Sequence, residues 1–361
     1  MVVVQILPAL NNGGVERGTI EIANYLAEQG NISIVISAGG IMQDQLLPAV
    51  RHIKLNVGKK SLISLLLVNK LRKIFLNDKV DIVHARSRLP AWLAYRAIAR
   101  IKVKKPKFIT TVHGLYSVKK YSSIMARGDK VIAVSKTAAK YVIENYSQYL
   151  KRKPQIIYRG INPTEFCYGH QVDQQWLQTW HVKHPELVGH KIVLLPGRLT
   201  SLKGAKELLT WLISNENDAK LVLTATPESD KYAAKLNQWF EQNKVRQRIV
   251  WVGLQKSMVD LYAVSDVVVS SSVRPESFGR TVLESLAVGT AVVGYAHGGV
   301  EEILSELFPQ GQVELGNVQQ LSEQINHVLK KNPVVANRPK FLLEKMLRQT
   351  VKVYHETINA E

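Results

Sequence analysis

Glu276 and Glu284 stand eight positions apart in Arg274-Pro275-Glu276-Ser277-Phe278-Gly279-Arg280-Thr281-Val282-Leu283-Glu284. A carboxylate accepts two O–H donors at once, so each is suited to the paired hydroxyls of a sugar or a ribose. Upstream, Asp266-Val267-Val268-Val269-Ser270 reads as a buried parallel strand. Downstream, 281–288 reads as a helix that Gly289 ends. One carboxylate then sits at the carboxyl end of a strand and the other in the first turns of the next helix. Open α/β sheets bind ligands at that edge, where helix-start N–H groups meet phosphate. Spacing alone would not separate such a pair from a solvated helix face. The Phe278-Gly279 step and the flanking strands do, and they point to a nucleotide-sugar.

Gly197-Arg198-Leu199-Thr200-Ser201-Leu202-Lys203-Gly204 follows another apolar strand and precedes a helix. The fork of Arg198 and the compact charge of Lys203 could neutralise a departing nucleoside diphosphate. Asn11-Asn12-Gly13-Gly14-Val15-Glu16-Arg17 lies between the first strand and first helix, where Gly14 lets backbone approach a ligand closely. It is not the dinucleotide fingerprint G-x-G-x-x-G. His113, just past the strand 108–112, suits either a structural role or a hydrogen bond to a sugar hydroxyl. Arg86 and Arg88 share the loop after 82–85 and would suit a phosphorylated acceptor. The histidines are scattered and no D-x-D pair occurs, so no metal site is expected and no cofactor beyond the sugar nucleotide is implied.

These residues need a scaffold, and the chain supplies one. Strand-like runs at 2–7, 33–38, 82–85, 108–112, 130–134 and 155–158 alternate with helical patterns such as 16–29 and 135–146. A second set follows: strands at 191–195, 221–225, 249–252, 267–270 and 291–294, with helices at 206–214, 231–244 and 318–331. Alternation of this kind predicts an α/β chain with two Rossmann-like domains. The expected boundaries are 1–165, a linker region at 166–188, and 189–340. Residues 341–358 form one more amphipathic helix, whose partner domain periodicity does not tell.

The formal net charge is +19, and its placement is uneven. Residues 1–165 carry 27 Lys and Arg against 9 Asp and Glu, while the remainder carries 21 against 20. A basic half joined to a neutral half suggests that one domain faces an anionic surface and the other a small ligand. Aromatics make up only 7% and do not interleave with the basic runs, which argues against a nucleic-acid partner. No apolar run reaches the roughly 18–20 residues that span a bilayer. The basic amphipathic stretch 59–75 could lie on a membrane, though such a stripe more commonly packs on its own sheet. The single cysteine, Cys167, precludes an internal disulfide and fits a reducing cytoplasm, with the protein peripheral at the inner face of the cytoplasmic membrane.

Taken together, the motifs resemble the retaining glycosyltransferases of family 4, with the two-domain GT-B fold. The resemblance covers nearly the whole chain and is strongest at 13–17, 111–114, 193–204 and 275–289. Residues 13–18, 84–92 and 125–129 look like a bacterial branch linked to lipopolysaccharide and other surface glycans. It implies domains facing across a cleft and a last helix, within 341–361, that returns to the N-terminal domain. It also implies that Glu276 meets the donor sugar, with main-chain contacts from Ser277, Phe278 and Gly279. Glu284 would hold the ribose, Arg198 and Lys203 the diphosphate, Gly14 would lie near that diphosphate, and His113 beside the sugar. The implied reaction moves a hexose-type sugar from a nucleoside-diphosphate donor, UDP-linked by preference, to a lipid-linked or lipopolysaccharide acceptor, without metal. A catalytically silent relative that binds nucleotide-sugar or an anionic surface is the alternative. One departure stands out: Arg159 precedes Gly160-Ile161, where this pattern usually has Asn.

Overall fold

Short runs of Val, Ile and Leu, each flanked by glycine or polar residues, become the strands of two parallel sheets. The computed structural model describes residues 1–11, 13–59, 64–214, 218–229, 231–255 and 257–360. Asn12 and residues 60–63 of the basic amphipathic stretch therefore lie outside the described residues. The chain divides into two compact units, Met1–Gly160 with Leu343–Glu361, and Ile161–Leu342.

The strands of the first unit are β1 (Val2–Ile6), β2 (Ile32–Ser37), β3 (Arg51–Lys54), β4 (Ile82–Ala85), β5 (Lys107–Val112), β6 (Lys130–Ala133) and β7 (Gln155–Ile156). They lie in the order β3-β2-β1-β4-β5-β6-β7, and every ladder is parallel. Parallel neighbours need crossovers, supplied largely by α1 (Gly14–Glu28), α2 (Ser64–Asn77), α3 (Arg88–Ala99) and α4 (Lys136–Tyr146). The order reverses between β1 and β4. The loops leaving those two strands, with Gly14 on one and Arg86 on the other, stand at the switch point where such sheets bind ligands.

The second unit repeats the plan with β8 (Ile192–Leu195), β9 (Lys220–Leu223), β10 (Ile249–Trp251), β11 (Val267–Ser270), β12 (Val292–Tyr295) and β13 (Gln312–Val313). Their order is β10-β9-β8-β11-β12-β13, again all parallel. Its helices are α5 (Gln174–Lys183), α6 (Leu209–Ser214), α7 (Lys231–Gln242), α8 (Met258–Ala263), α9 (Arg280–Val288), α10 (Gly298–Leu307) and α11 (Val318–Lys331). Here the reversal falls between β8 and β11, so the loops carrying Lys203 and Glu276 leave adjacent strands.

Residues 166–188, read from the sequence as the linker region, fall within the second unit. There Asp173 caps α5 by accepting from the N–H groups of Gln175 and Trp176, and Trp180 is buried, stacked on Trp176. The last helix, α12 (Leu343–Asn359), belongs to the first unit. Its Met346, Leu347, Val353 and Tyr354 join Val3, Ile82, Ile109 and Ile132 of the sheet in one apolar core with Ile22 and Leu26 of α1. The Tyr354 hydroxyl lies 2.6 Å from Nδ1 of buried His84 on β4. No helix among the described residues is long and apolar enough to cross a membrane.

Candidate active site

The loop after β8 and the loop after β11 are stitched together. Ser271 Oγ reaches the carbonyls of Lys203 (3.1 Å) and Gly204 (3.0 Å), and the Val273 N–H donates to Leu202 O at 2.9 Å. Gly204 is left-handed (φ 67°), and a Cβ there would strike the carbonyl of Ser271. Only glycine allows both the turn and the approach.

That stitching brings Lys203 and Glu276 into contact. Lys203 Nζ donates to Glu276 Oε1 at 2.7 Å, and Ser272 Oγ donates to the same oxygen at 2.6 Å. The Ser272 carbonyl in turn accepts from His297 Nε2 at 2.6 Å, which fixes a proton on that nitrogen. Burial alone would push the Glu276 carboxyl up. The Lys203 charge, hydrogen bonds from Lys203 and Ser272 and the nearby His297 outweigh it, and Glu276 is held below the usual carboxylate range. Oε1 thus carries both internal contacts, which leaves Oε2 as the oxygen to meet a hydroxyl donor. The Glu276 carbonyl accepts from the Gly299 N–H at 2.8 Å, so the start of α10 buttresses the loop. Sequence reasoning missed Ser272, His297 and Gly299. The signal that could have found the last two is the His297-Gly298-Gly299 step at the end of a strand.

Phe278 is buried, and Gly279 takes a left-handed conformation (φ 91°) as the cap of α9. No side chain caps this helix start, so its first N–H groups are open to an anion. Glu284, one turn further along, is buried. Its Oε2 accepts from Tyr262 at 3.0 Å and its Oε1 from Arg280 Nε at 2.6 Å. Burial first, then the Glu284 charge, pushes the Tyr262 phenol well above its ordinary value, so it stays a donor. Each Glu284 oxygen keeps a lone pair for a further hydroxyl. Arg198 is exposed on its loop, with no ion-pair partner among the described residues.

In the first unit, Gly14 opens α1, which also lacks a side-chain cap. His113 follows β5. Burial, reinforced by Arg159, Arg86 and His84, holds its imidazole well below the ordinary value, so it is neutral at physiological pH. The two arginines expected to face an acceptor are otherwise engaged. Arg86 is buried, donating to Gly18 O at 2.6 Å and to Thr19 Oγ1 at 3.3 Å. Burial lowers its guanidinium to about 10, still cationic at neutral pH. Arg88 lies over the rings of Tyr116 (4.6 Å) and Tyr121 (5.4 Å) and donates to Ser122 Oγ at 3.1 Å. The sequence shows two arginines on a loop but not that the strand end turns one of them inward. Among the described residues no group of three or more His, Cys, Asp or Glu is placed to hold a metal ion.

Two Rossmann-like units, each with its loops gathered at a switch point, make up the GT-B glycosyltransferase architecture. The family described as Glycosyltransferase Family 4 matches residues 12–165, and that described as Glycosyl transferases group 1 matches residues 178–341. The crystal structure of a glycosyltransferase from Rickettsia africae is 30% identical, covers 100% of this chain and 99% of its own, and superposes with a TM-score of 0.85. The Anabaena protein HepE, solved with UDP and glucose, is 17% identical with a TM-score of 0.80, covering 99% of this chain and 100% of its own. WaaG, a glycosyltransferase of lipopolysaccharide biosynthesis, is 15% identical with a TM-score of 0.70, covering 100% and 96%. The chain belongs to glycosyltransferase family 4.

Proposed function

We propose that this glycosyltransferase is a retaining enzyme that moves a hexose-type sugar from a UDP-linked donor to a lipid-linked or lipopolysaccharide acceptor. The observation that carries the proposal is the Lys203–Ser272–Glu276 cluster at the switch point of the second unit, one loop from the uncapped start of α9. In this reading the second unit holds the nucleotide. Glu284 takes the ribose, Glu276 Oε2 takes a sugar hydroxyl, and Lys203, Arg198 and the α9 amides take the diphosphate. The bond that breaks joins the anomeric carbon to a diphosphate oxygen. Charge gathering on that oxygen is met by the two cations and the helix-end N–H groups, and such prepositioned donors are the largest rate-enhancing effect in many enzymes. No protein nucleophile is needed when the acceptor hydroxyl attacks from the face the leaving group vacates and passes its proton to the departing diphosphate oxygen, and the anomeric configuration is kept. Neutral His113 serves as a hydrogen-bonding group and not as a cation. No bound metal is required.

Three things support the choice of donor and acceptor: HepE binds UDP and glucose, WaaG belongs to lipopolysaccharide biosynthesis, and the first unit is strongly basic. That charge suits the first unit to acceptor handling at the inner face of a cytoplasmic membrane. A thermal-shift panel of UDP-, GDP- and ADP-sugars tests the donor. Turnover of the stabilising donor, with the product anomer read by NMR, tests the chemistry. An inverted product, or stabilisation only by a non-UDP donor, overturns the corresponding part. Stabilisation with neither transfer nor hydrolysis would mark a silent binder.

A further inference from the structure

The segment that carries Glu276 is clasped by the start of α10, and all of the contacts lie within the second unit. Ser270 of β11 pairs with Gly294 of β12, so the segments leaving those strands begin side by side. Backbone then meets backbone. A methyl group built on Gly298 would lie 2.7 Å from Glu276 O, and one on Gly299 would strike the main chain of Phe278. Only glycine permits so close an approach. Together with the Gly299 N–H on Glu276 O, these contacts fix the main chain of 276–278. The carboxylate is steered separately. Its Oε1 takes the Ser272 hydroxyl, and the carbonyl of that same serine takes the Nε2–H of His297. His297 is the N-cap residue of α10, yet its side chain makes no capping bond to its own helix. Ser, Thr, Asp and Asn are the residues that cap a helix well, so this position forgoes a cap to hold a neighbouring loop.

We propose that His297 is a positioning residue for the donor sugar. By holding the Ser272 carbonyl it fixes the residue whose hydroxyl occupies Glu276 Oε1, and so keeps Oε2 as the oxygen open to a sugar hydroxyl. The glycines set where the Glu276 main chain lies, and His297 sets which way its carboxylate faces. The imidazole acts through Ser272 and does not itself touch the donor. Its effect is therefore selective: binding of the sugar depends on His297, while binding of bare UDP, held by Glu284 and the start of α9, does not. The inference rests on the reading above that Glu276 takes a hydroxyl of the donor sugar.

Calorimetry with UDP and with UDP-glucose tests it on His297→Phe, His297→Gln and Ser272→Ala. His297→Phe keeps a ring but has no N–H, and should weaken UDP-glucose about three- to tenfold, the range for one lost hydrogen bond, with UDP unchanged. His297→Gln places an amide N–H within reach of the same carbonyl and should recover most of that loss. Ser272→Ala should lose at least as much as His297→Phe, and adding His297→Phe to it should cost nothing further, because the histidine acts through the serine. His297→Phe should also speed amide exchange in peptides covering residues 271–279. Equal weakening of UDP and UDP-glucose, no recovery with Gln, or unchanged exchange would reduce His297 to packing and overturn the proposal. If the unsubstituted protein gains nothing from the attached glucose, the functional reading fails for that sugar, and amide exchange still decides whether His297 sets the loop.

Discussion

Lys203 and Glu276 are 73 residues apart in the chain and 2.7 Å apart in the fold. Motifs that sequence treats as two, a basic loop and a carboxylate pair, meet in one hydrogen-bonded unit. On the proposed reading a donor diphosphate would share Lys203 with Glu276, so the two residues are expected to respond to substitution together. Lys203→Ala and Glu276→Ala are each expected to lower turnover by about 2–4 kcal/mol of transition-state stabilisation, the cost of losing one charge-stabilising group. The double variant should lose distinctly less than the sum. Initial rates of donor consumption at saturating acceptor measure this, with circular dichroism as the control for folding. Strict additivity would mean that the pair does not act as a unit.

The same contact sets an acid limit. Glu276 has a folded-state value below its ordinary 4.5, so its ionised form holds above that value and is lost only as pH falls through the lowered one. Replacing Lys203 with Met leaves burial as the dominant influence, which raises the carboxyl. The acid limb of kcat/KM in Lys203→Met should therefore move to higher pH. An unmoved limb would assign it to another group.

Glu284 and Tyr262 offer a separable test. Tyr262→Phe removes one of the two donors that orient Glu284 and should weaken UDP binding by about 1–3 kcal/mol. Glu284→Ala should weaken UDP binding as well, whereas Glu276→Ala should spare free UDP and impair handling of the donor sugar. Calorimetry with UDP alone decides. The opposite pattern would exchange the roles of the two glutamates.

His84 is buried and His113 half-buried, and desolvation holds each well below 6.5 in the folded state. The unfolded chain takes up protons at about 6.5 that the folded chain refuses, so their contribution is full above that pH and declines as pH falls through it. Each can add a slope of up to about 1.4 kcal/mol per pH unit. Urea unfolding at pH 7.5, 6.5 and 5.5, followed by the fluorescence of Trp92 in the first unit, should show stability falling towards acid. Replacing His84 with Gln should flatten that slope, and an unchanged slope would exonerate it.

Membrane association should follow charge. The described part of α2 exposes Leu66, Asn69, Lys70 and Lys73 on one face. Each basic residue near an anionic leaflet contributes about 1 kcal/mol, decaying over a Debye length of roughly 8–10 Å. Co-sedimentation with acidic liposomes should be strong at low salt and weak at high salt. Equal binding to neutral liposomes would shift the account to the apolar residues.

Much of the architecture is legible locally. Val267–Ser270, Ile82–Ala85 and Val318–Lys331 fall where apolar runs and periodicity place them. β3 is not, because Arg51-His52-Ile53-Lys54 is a short polar edge strand that takes its conformation from pairing with β2. α5 is hidden in a stretch whose tryptophans and histidines obscure helical spacing. In the site, Glu276, Glu284, Lys203 and Arg198 stand out because glycines and strand ends frame them. Ser272 and Tyr262 do not, since each matters through a single hydrogen bond to one of those glutamates that no pattern in its own stretch announces. The inward turn of Arg86 depends on carbonyls of α1, which no local pattern announces.

The return of α12 to the first unit also has a consequence for synthesis. The second unit is continuous and can complete its core as soon as residue 342 is available, but the first unit cannot. At roughly 5–20 residues per second, the sheet holding Val3, Ile82 and Ile132 waits on the order of ten seconds or more for Met346, Val353 and Tyr354. During that interval its unfinished face is open to whatever apolar surface is nearby. The unit made first is thus the last to be finished, and the final turns of the chain decide whether the earliest strands reach their native state.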